Sequence, residues 1–67
     1  MHTHLDVDDR VLLLRDMTEF LKKGSIGIIW CVYTTKPLSY EVSFNIGTTY
    51  EISAWVECDD IERIPGS

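Results

Sequence analysis

The sequence GSIGIIWCVYTTKPLSYEVSF, residues 24–44, joins two segments whose hydrophobic patterns differ. The first, SIGIIWCVY, is rich in β-branched and aromatic residues and is apolar on both faces of any strand it forms. The second, YEVSF, alternates strictly between apolar and polar residues. Pro37, which lies between them, cannot continue a central strand because it has no amide hydrogen to donate. The stretch therefore predicts two β-strands joined by a loop, with a bulge or sharp bend at Gly27 in the first strand.

The pattern of the remaining residues after this stretch predicts mostly β-structure. The segment TYEISAWV, residues 49–56, alternates, and Gly47 lies in a connection short enough for a hairpin. The acidic segment CDDIERI predicts one helical turn begun by Asp59 or Asp60, followed by a strand fragment at residues 63–64. From these two alternating strands, the side chains predicted to face the core are Tyr40, Val42, Phe44, Ile46, Tyr50, Ile52, Ala54 and Val56.

The segment before the stretch, DDRVLLLRDMTEFLKKGS, has two readings. In the first it is a helix over residues 10–23, with Asp8 or Asp9 capping its start and Lys22, Lys23 and Gly24 ending it. The fold would then be α+β, with one N-terminal helix on a three-stranded antiparallel sheet. In the second reading, RVLLLR is a short strand and the rest is a long loop. Helix propensity by itself favours the first reading.

The motifs DDRVLLLRDM, LKKGSIGIIWCVY, YEVSF and DDIERI, taken in order, resemble those of a family of small bacterial SH3-like barrels. Most members of this family have no assigned function, and related small barrels include the KOW modules of translation and transcription proteins. The resemblance spans residues 5–64, and its motifs are structural. It implies an all-β fold: a five-stranded SH3-like barrel with a long loop after the first strand and a short helical turn before the last.

This resemblance favours the strand-plus-loop reading of the first segment. It also implies the domain organisation: a flexible N-terminus over residues 1–8, one barrel domain over residues 9–64 and a tail over residues 65–67. The residues expected to fill the barrel are Val11, Leu13, Ile26, Ile29, Val42, Phe44, Ile52 and Ala54.

The charge balance limits the partners that the protein can have. The 67 residues include 11 acidic and 6 basic side chains, which gives a net charge of −5. Nucleic-acid binding draws on clustered Lys and Arg, whereas here the basic residues are scattered and only Lys22 and Lys23 are adjacent. No apolar run approaches the roughly 20 residues of a membrane helix, and the N-terminus is acidic where a secretory signal is basic and then apolar. We expect a cytoplasmic protein that contacts neither nucleic acid nor membrane.

Catalysis finds little support in the sequence. The two histidines, His2 and His4, lie at the terminus, where H-x-H cannot hold coordination geometry or take part in a Ser–His–Asp or Cys–His set. Cys31 and Cys58 do not form a C-x-x-C pair and are expected to be reduced, partly buried thiols. The resemblance also carries no catalytic residues. We therefore expect a non-enzyme without cofactor or metal.

The candidate site is a partner-binding surface centred on aromatic residues. Trp55 lies on the otherwise polar face of its strand, and the family's usual polar residues near Trp30 are replaced by Ile28 and Cys31. Exposed apolar surface of this kind marks association sites, and Trp and Tyr are frequent anchors there. In a regular strand Trp30 and Tyr33 would face opposite sides, so at most one of them could join the surface. The predicted partner-binding residues are Trp55, Trp30, Tyr33, Glu41, Glu51 and Glu57.

The expected partner is another protein with a basic or apolar pocket, and a homodimer is a further possibility. The domain would then act as an accessory subunit, an inhibitor or an immunity-type protein. The alternative function is that of a KOW-like, nucleic-acid-associated barrel, and it rests on the fold resemblance alone.

Overall fold

The computed structural model describes residues 5–34 and 38–65. The strands are β1 (Arg10–Leu13), β2 (Ile26–Tyr33), β3 (Ser39–Phe44), β4 (Ile52–Glu57) and β5 (Ile61–Arg63), and a 3₁₀ turn, η1 (Cys58–Asp60), precedes β5. They form one antiparallel sheet in the order β4-β3-β2-β1-β5. The predictions for His2, His4, Pro37 and residues 66–67 concern positions outside the described residues.

The predicted all-β fold is confirmed. Residues 5–34 and 38–65 form five antiparallel strands, a long loop over residues 14–25 after the first strand, and a single 3₁₀ turn before the last strand. The alternative with a helix over residues 10–23 is wrong. Val11 and Leu13 are fully buried while Arg10 and Leu12 are not, and this two-residue period is that of a strand with one face on the core. Pairing with β2 and β5 on both sides overrides the helix propensity of the segment.

The long loop is held against the sheet at its end and in its middle. Leu13 donates its amide to the Ser25 carbonyl and accepts a hydrogen bond from Gly24, so the loop closes immediately after β1. Gly24 adopts a φ of +95°. This is a backbone conformation in which a residue with a side chain would be strained. Leu21, in the middle of the loop, is buried in the core. These contacts hold the loop against the open side of the sheet.

The bulge in β2 lies at Trp30 and not at Gly27. The pairing with β3 runs regularly to Ile29, opposite Val42, and resumes with Cys31 opposite Glu41, which leaves Trp30 as the extra residue. Gly27 has a different role. A Cβ at this position would lie 2.5 Å from Cγ1 of Val42 and 2.9 Å from a β3 backbone oxygen, so only glycine lets β2 approach β3 this closely.

The core is formed by side chains from every strand and from the segments that flank β1. Leu5, which lies in the predicted N-terminal segment, is buried there too. Met17, Val32, Leu38 and Ala54 are partly buried and pack against this core. The buried hydrophobic residues are Leu5, Val11, Leu13, Leu21, Ile29, Tyr40, Val42, Phe44, Val56 and Ile61.

Four residues predicted to be in the core are exposed instead: Ile26, Ile46, Tyr50 and Ile52. Ile26 faces outward because Gly27 and Ile29 face inward, and strand residues alternate. The other three lie at or beyond strand ends. The chain leaves β3 at Asn45, whose φ is +58°, and β4 begins only at Ile52. The connection between β3 and β4 is therefore longer than the tight hairpin that the sequence predicted.

The C-terminal elements begin earlier than predicted. The 3₁₀ turn starts at Cys58, with Glu57 as its N-cap residue, and the following strand starts at Ile61. The Nε atom of Arg15 donates to Oδ1 of Asp60 over 2.6 Å, which joins the long loop to the turn. Within the described part of the chain, no helix has the length and apolar character needed to cross a membrane.

Candidate protein-binding surface

The bulge in β2 determines which side chains share the outer face of the sheet. Trp30 and Cys31 both stand opposite Glu41, and two bulge residues that oppose one partner lie on the same side. Beyond the bulge the alternation resumes, so Val32 packs on the core and Tyr33 faces outward. The bulge therefore places Trp30 and Tyr33 on one face, which a regular strand would not allow.

Trp55 reaches this face from the other side of β3. Its Cα lies opposite that of Glu41, and its side chain is 68% exposed. The rings of Tyr33 and Trp55 meet edge to face, with their centroids 6.1 Å apart and their planes inclined at 62°. Because β2 and β4 both pair with β3 and not with each other, the two rings meet above β3. This contact fixes an indole that is otherwise open to solvent.

Ser39 lies on β3 between these strands, opposite Tyr33 on one side and Glu57 on the other. It is only 1% exposed, although it has the same strand parity as the outward-facing Glu41. Its hydroxyl has no hydrogen-bond partner among the described residues. Ser39 is therefore a buried polar residue on the strand that lies between Tyr33 and Trp55.

Tyr33 and Glu41 are joined by a hydrogen bond. The Tyr33 hydroxyl donates to Oε1 of Glu41 over 2.7 Å. This bond to the carboxylate, with a smaller contribution from Cys31, raises the pKa of Tyr33 far above its usual value. A tyrosine phenol is protonated at physiological pH in any case, and the bond to Glu41 extends this state to higher pH. Glu41 is in turn held between Trp55 and Tyr33.

The two other predicted acidic residues lie at opposite ends of β4. Glu57 is on the same face as Trp55, two residues along the strand. Glu51 lies before β4, where its Oε1 accepts a hydrogen bond from the Gly47 amide over 3.2 Å. Its carboxylate thus belongs to the loop between β3 and β4 and does not join Tyr33 and Glu41. The structure brings together Trp55, Tyr33 and Glu41, with Trp30 on the same face and 52% exposed.

A groove of about 250 Å³ adjoins Trp55. Its lining includes Arg15 and Met17 from the long loop, and Glu57 and Asp60 at the end of β4 and in the turn. The hydrogen bond from Arg15 lowers the pKa of Asp60 and keeps its carboxylate ionised. Sequence reasoning missed Arg15, Met17 and Asp60, because only the folded loop brings residues 15–17 next to residues 55–60. It also missed Cys31, which it assigned to the opposite face from Trp30.

A second exposed aromatic pair lies outside this face. Phe20 of the long loop stacks on Tyr50, with ring centroids 5.9 Å apart and planes within 15°. The two rings line a cavity of about 320 Å³ together with Glu51 and Ile52. Neither residue was predicted as a site residue, because Tyr50 was assigned to the core.

In residues 5–34 and 38–65, no group of three or more His, Cys, Asp or Glu side chains could hold a metal ion. Both cysteines are free thiols; Cys31 is half-buried, whereas Cys58 is exposed, which corrects the expectation that both are partly buried.

No family model matches the chain, and neither a curated protein nor a solved structure matches it. The fold and surface therefore define the protein only by class: a small all-β domain with an exposed, aromatic-centred and acidic face. The resemblance to bacterial SH3-like barrels stays a prediction.

Proposed function

We propose that this domain is a non-catalytic protein-interaction module that acts in the cytoplasm as an accessory subunit, an inhibitor or an immunity-type protein. The observation that carries the proposal is the placement of Trp55. It is the most exposed of the large hydrophobic side chains of the described residues, yet it is held by Tyr33 and lies opposite Glu41. An apolar ring that is both exposed and held in place is a favourable anchor, since little side-chain entropy is lost when a partner covers it.

The acidic residues around the anchor favour a particular kind of partner. Glu41 is directly opposite Trp55, and Glu57 is on the same face of the same strand. A partner that presents an apolar pocket edged by Lys or Arg would cover the indole and meet these carboxylates. Because they are exposed or half-buried, their main effect would be to raise the association rate and to make it depend on salt.

The nucleic-acid alternative has less support. Exposed aromatic rings can stack on bases, but single-strand binders combine them with a positively charged groove that tracks the phosphates. Here the charged residues that line the groove beside Trp55 are Glu57, Asp60 and Arg15, and Arg15 is already bonded to Asp60. Phosphates would be repelled from this face.

Site-specific photo-cross-linking in the native host tests the proposal. A benzoylphenylalanine at position 33 replaces one aromatic ring by another, and the same group at position 46, an exposed loop position, is the matched control. We expect a protein partner to cross-link from position 33 and not from position 46, with loss of the cross-link when Trp55 is changed to Ala.

The cross-linked partner, once purified, should bind the unmodified domain in a titration. Equal cross-linking from both positions would contradict the proposal. Cross-linking of nucleic acid from position 33 would favour the KOW-like alternative.

A further inference from the structure

The outer edge of β4 carries backbone groups that the sheet does not use. β4 pairs with β3 only and is an end strand of the described sheet. In an antiparallel pair, alternate residues direct both their N–H and C=O groups toward the partner, and the residues between direct theirs away. The register of the hydrogen bonds therefore determines which residues of β4 have free groups.

Two hydrogen bonds fix that register. The Asn45 amide donates to the Ile26 carbonyl, so Asn45 points toward β2, and by alternation Val42 and Phe44 point toward β4. Their partners Ala54 and Ile52 thus bond to β3. The amide of Glu57 donates to the Asp60 carboxylate, as expected for a residue that points away from β3.

Ser53 and Trp55 have the same parity as Glu57, so their N–H and C=O groups point outward at the edge. No hydrogen bond across this edge involves either amide within the described ranges. β4 contains no Pro, no Lys and no bulge, which are devices that usually block strand addition, and its one charged residue, Glu57, lies at its end. It is thus open to a further strand.

Space for a strand is present at both ends of this edge. The groove beside Trp55 and Glu57 lies at one end, and the cavity beside Ile52 and Glu51 lies at the other. The long loop contributes Met17 to the first and Phe20 to the second. Each end of the edge therefore borders open volume that is also lined by a residue of the long loop.

We propose that β4 binds an extended segment of a partner protein as an additional strand, in which basic and apolar residues alternate. This rests on the proposed function and names its binding mode. Side chains of the added strand on the outer face would meet Trp55 and Glu57, which favour Lys or Arg through cation–π and ionic contacts. Those on the inner face would lie beside Ile52, Ala54 and Val56, which are apolar.

Charge complementarity favours this occupant over a second copy of the chain. Glu51 and Glu57 lie at the two ends of β4, and the net charge of each chain is −5, so two copies would repel. A basic segment would be attracted along the whole edge.

Amide hydrogen exchange measured residue by residue tests the proposal. In the free protein, the amides of Ser53 and Trp55 should exchange much faster than that of Ala54. The probe is a synthetic peptide of about eight residues in which Lys and Val alternate, and the control has the same composition arranged in two blocks. The alternating peptide should slow exchange at Ser53 and Trp55 by about tenfold or more at saturation, and the block peptide should not.

A pair of variants separates this binding mode from docking on the face alone. Ser53→Pro removes one edge amide hydrogen that the sheet does not use. The alternating peptide should then no longer slow amide exchange at Trp55, whereas in Ser53→Ala it should still do so. If the peptide shifts the Trp55 indole signal while both edge amides still exchange fast, and Ser53→Pro binds it equally, the edge proposal fails and the proposed function stands.

Two further outcomes would overturn the proposal. Protection of Ser53 and Trp55 that grows with protein concentration alone would identify a second copy as the occupant. Equal or absent protection by the alternating and block peptides would show that an alternating basic strand is not recognised.

Discussion

Ser39 buries a hydroxyl at a cost in stability. Its buried hydroxyl lacks a partner among the described residues, and an unsatisfied buried polar group costs about 1–3 kcal/mol. We therefore expect Ser39→Ala to raise the free energy of unfolding by about 1 kcal/mol, measured by urea denaturation. Ser39→Leu should instead lower it and weaken the contact between Tyr33 and Trp55. A loss of stability in Ser39→Ala would show that the hydroxyl has a partner.

Asp60 makes the stability of the domain depend on pH. The hydrogen bond from Arg15, reinforced by the Glu57 amide, holds the folded-state pKa of Asp60 below the usual 3.8. Its contribution to stability is therefore fully present above about pH 3.8, the unfolded-state value, and is lost as the pH falls through the folded-state pKa.

Replacing Asp60 with Ala should lower the free energy of unfolding at pH 7 by about 1 kcal/mol, the typical net contribution of a hydrogen bond, because the carboxylate accepts hydrogen bonds from Arg15 and from the Glu57 amide. The difference from the unaltered protein should shrink toward pH 2. Urea titrations at a series of pH values would measure it, and Asp59→Ala, an exposed neighbour, is the control. A difference that does not change with pH would contradict the role given to the ionised carboxylate.

Strand β2 contains two backbone features that the sequence did not predict correctly: the role of Gly27 and the position of the bulge. The apolar and aromatic content of residues 26–33 correctly predicts a strand, but the bulge predicted at Gly27 lies three residues later, at Trp30. Gly27 instead allows the close packing of β2 against β3. A bulge is defined by the register between two paired strands. The hydrophobic pattern of one strand by itself carries no information about that register.

Gly27→Ala should destabilise the domain by about 1–3 kcal/mol, the usual cost of forcing extra volume into a packed core. The added Cβ would meet the Val42 and Phe44 side chains and the backbone oxygen of Ser43 at 2.9 Å or less, and the backbone cannot move aside. Thermal unfolding compared with Thr49→Ala, an exposed loop change, would measure this. Equal melting temperatures would contradict the close approach of β2 and β3.

Deleting Trp30 should leave the β2–β3 register intact. Without this residue, Ile29 and Val32 still face inward and Cys31 and Tyr33 still face outward, so regular alternation is restored. The deletion variant should fold, with cross-strand nuclear Overhauser effects retained between β2 and β3, and should lose only the contribution of Trp30 to binding. A variant with Tyr33 turned toward the core would show that the bulge is not at residue 30.

For the whole molecule, the sequence predicts the fold class and the burial or exposure of single strand residues. It does not predict how the elements are placed relative to one another. Alternation in β3 and β4 predicts the exposure of Trp55 and the burial of Val42, Phe44 and Val56, because each of these depends only on strand parity. The groove at Arg15 and the free edge of β4 depend on strand order and on the path of the long loop. No local pattern encodes either of these.

Trp55 is the residue on which the proposed binding role depends most. Because the ring is largely exposed, truncating it should remove a binding anchor without opening a cavity in the core. We expect Trp55→Ala to weaken the affinity for the cross-linked partner by about 2 kcal/mol or more, roughly 30-fold. The melting temperature should change little. Ile46→Ala, another exposed apolar change outside this face, should alter neither quantity.

The most direct measurement is therefore a calorimetric titration of the purified partner with the unaltered domain, Trp55→Ala and Ile46→Ala, with thermal unfolding of each variant alongside. The account predicts a large loss of affinity in Trp55→Ala alone, at nearly unchanged stability. A large loss of stability in Trp55→Ala, with affinity intact among the folded molecules, would contradict it and assign Trp55 to covering the sheet.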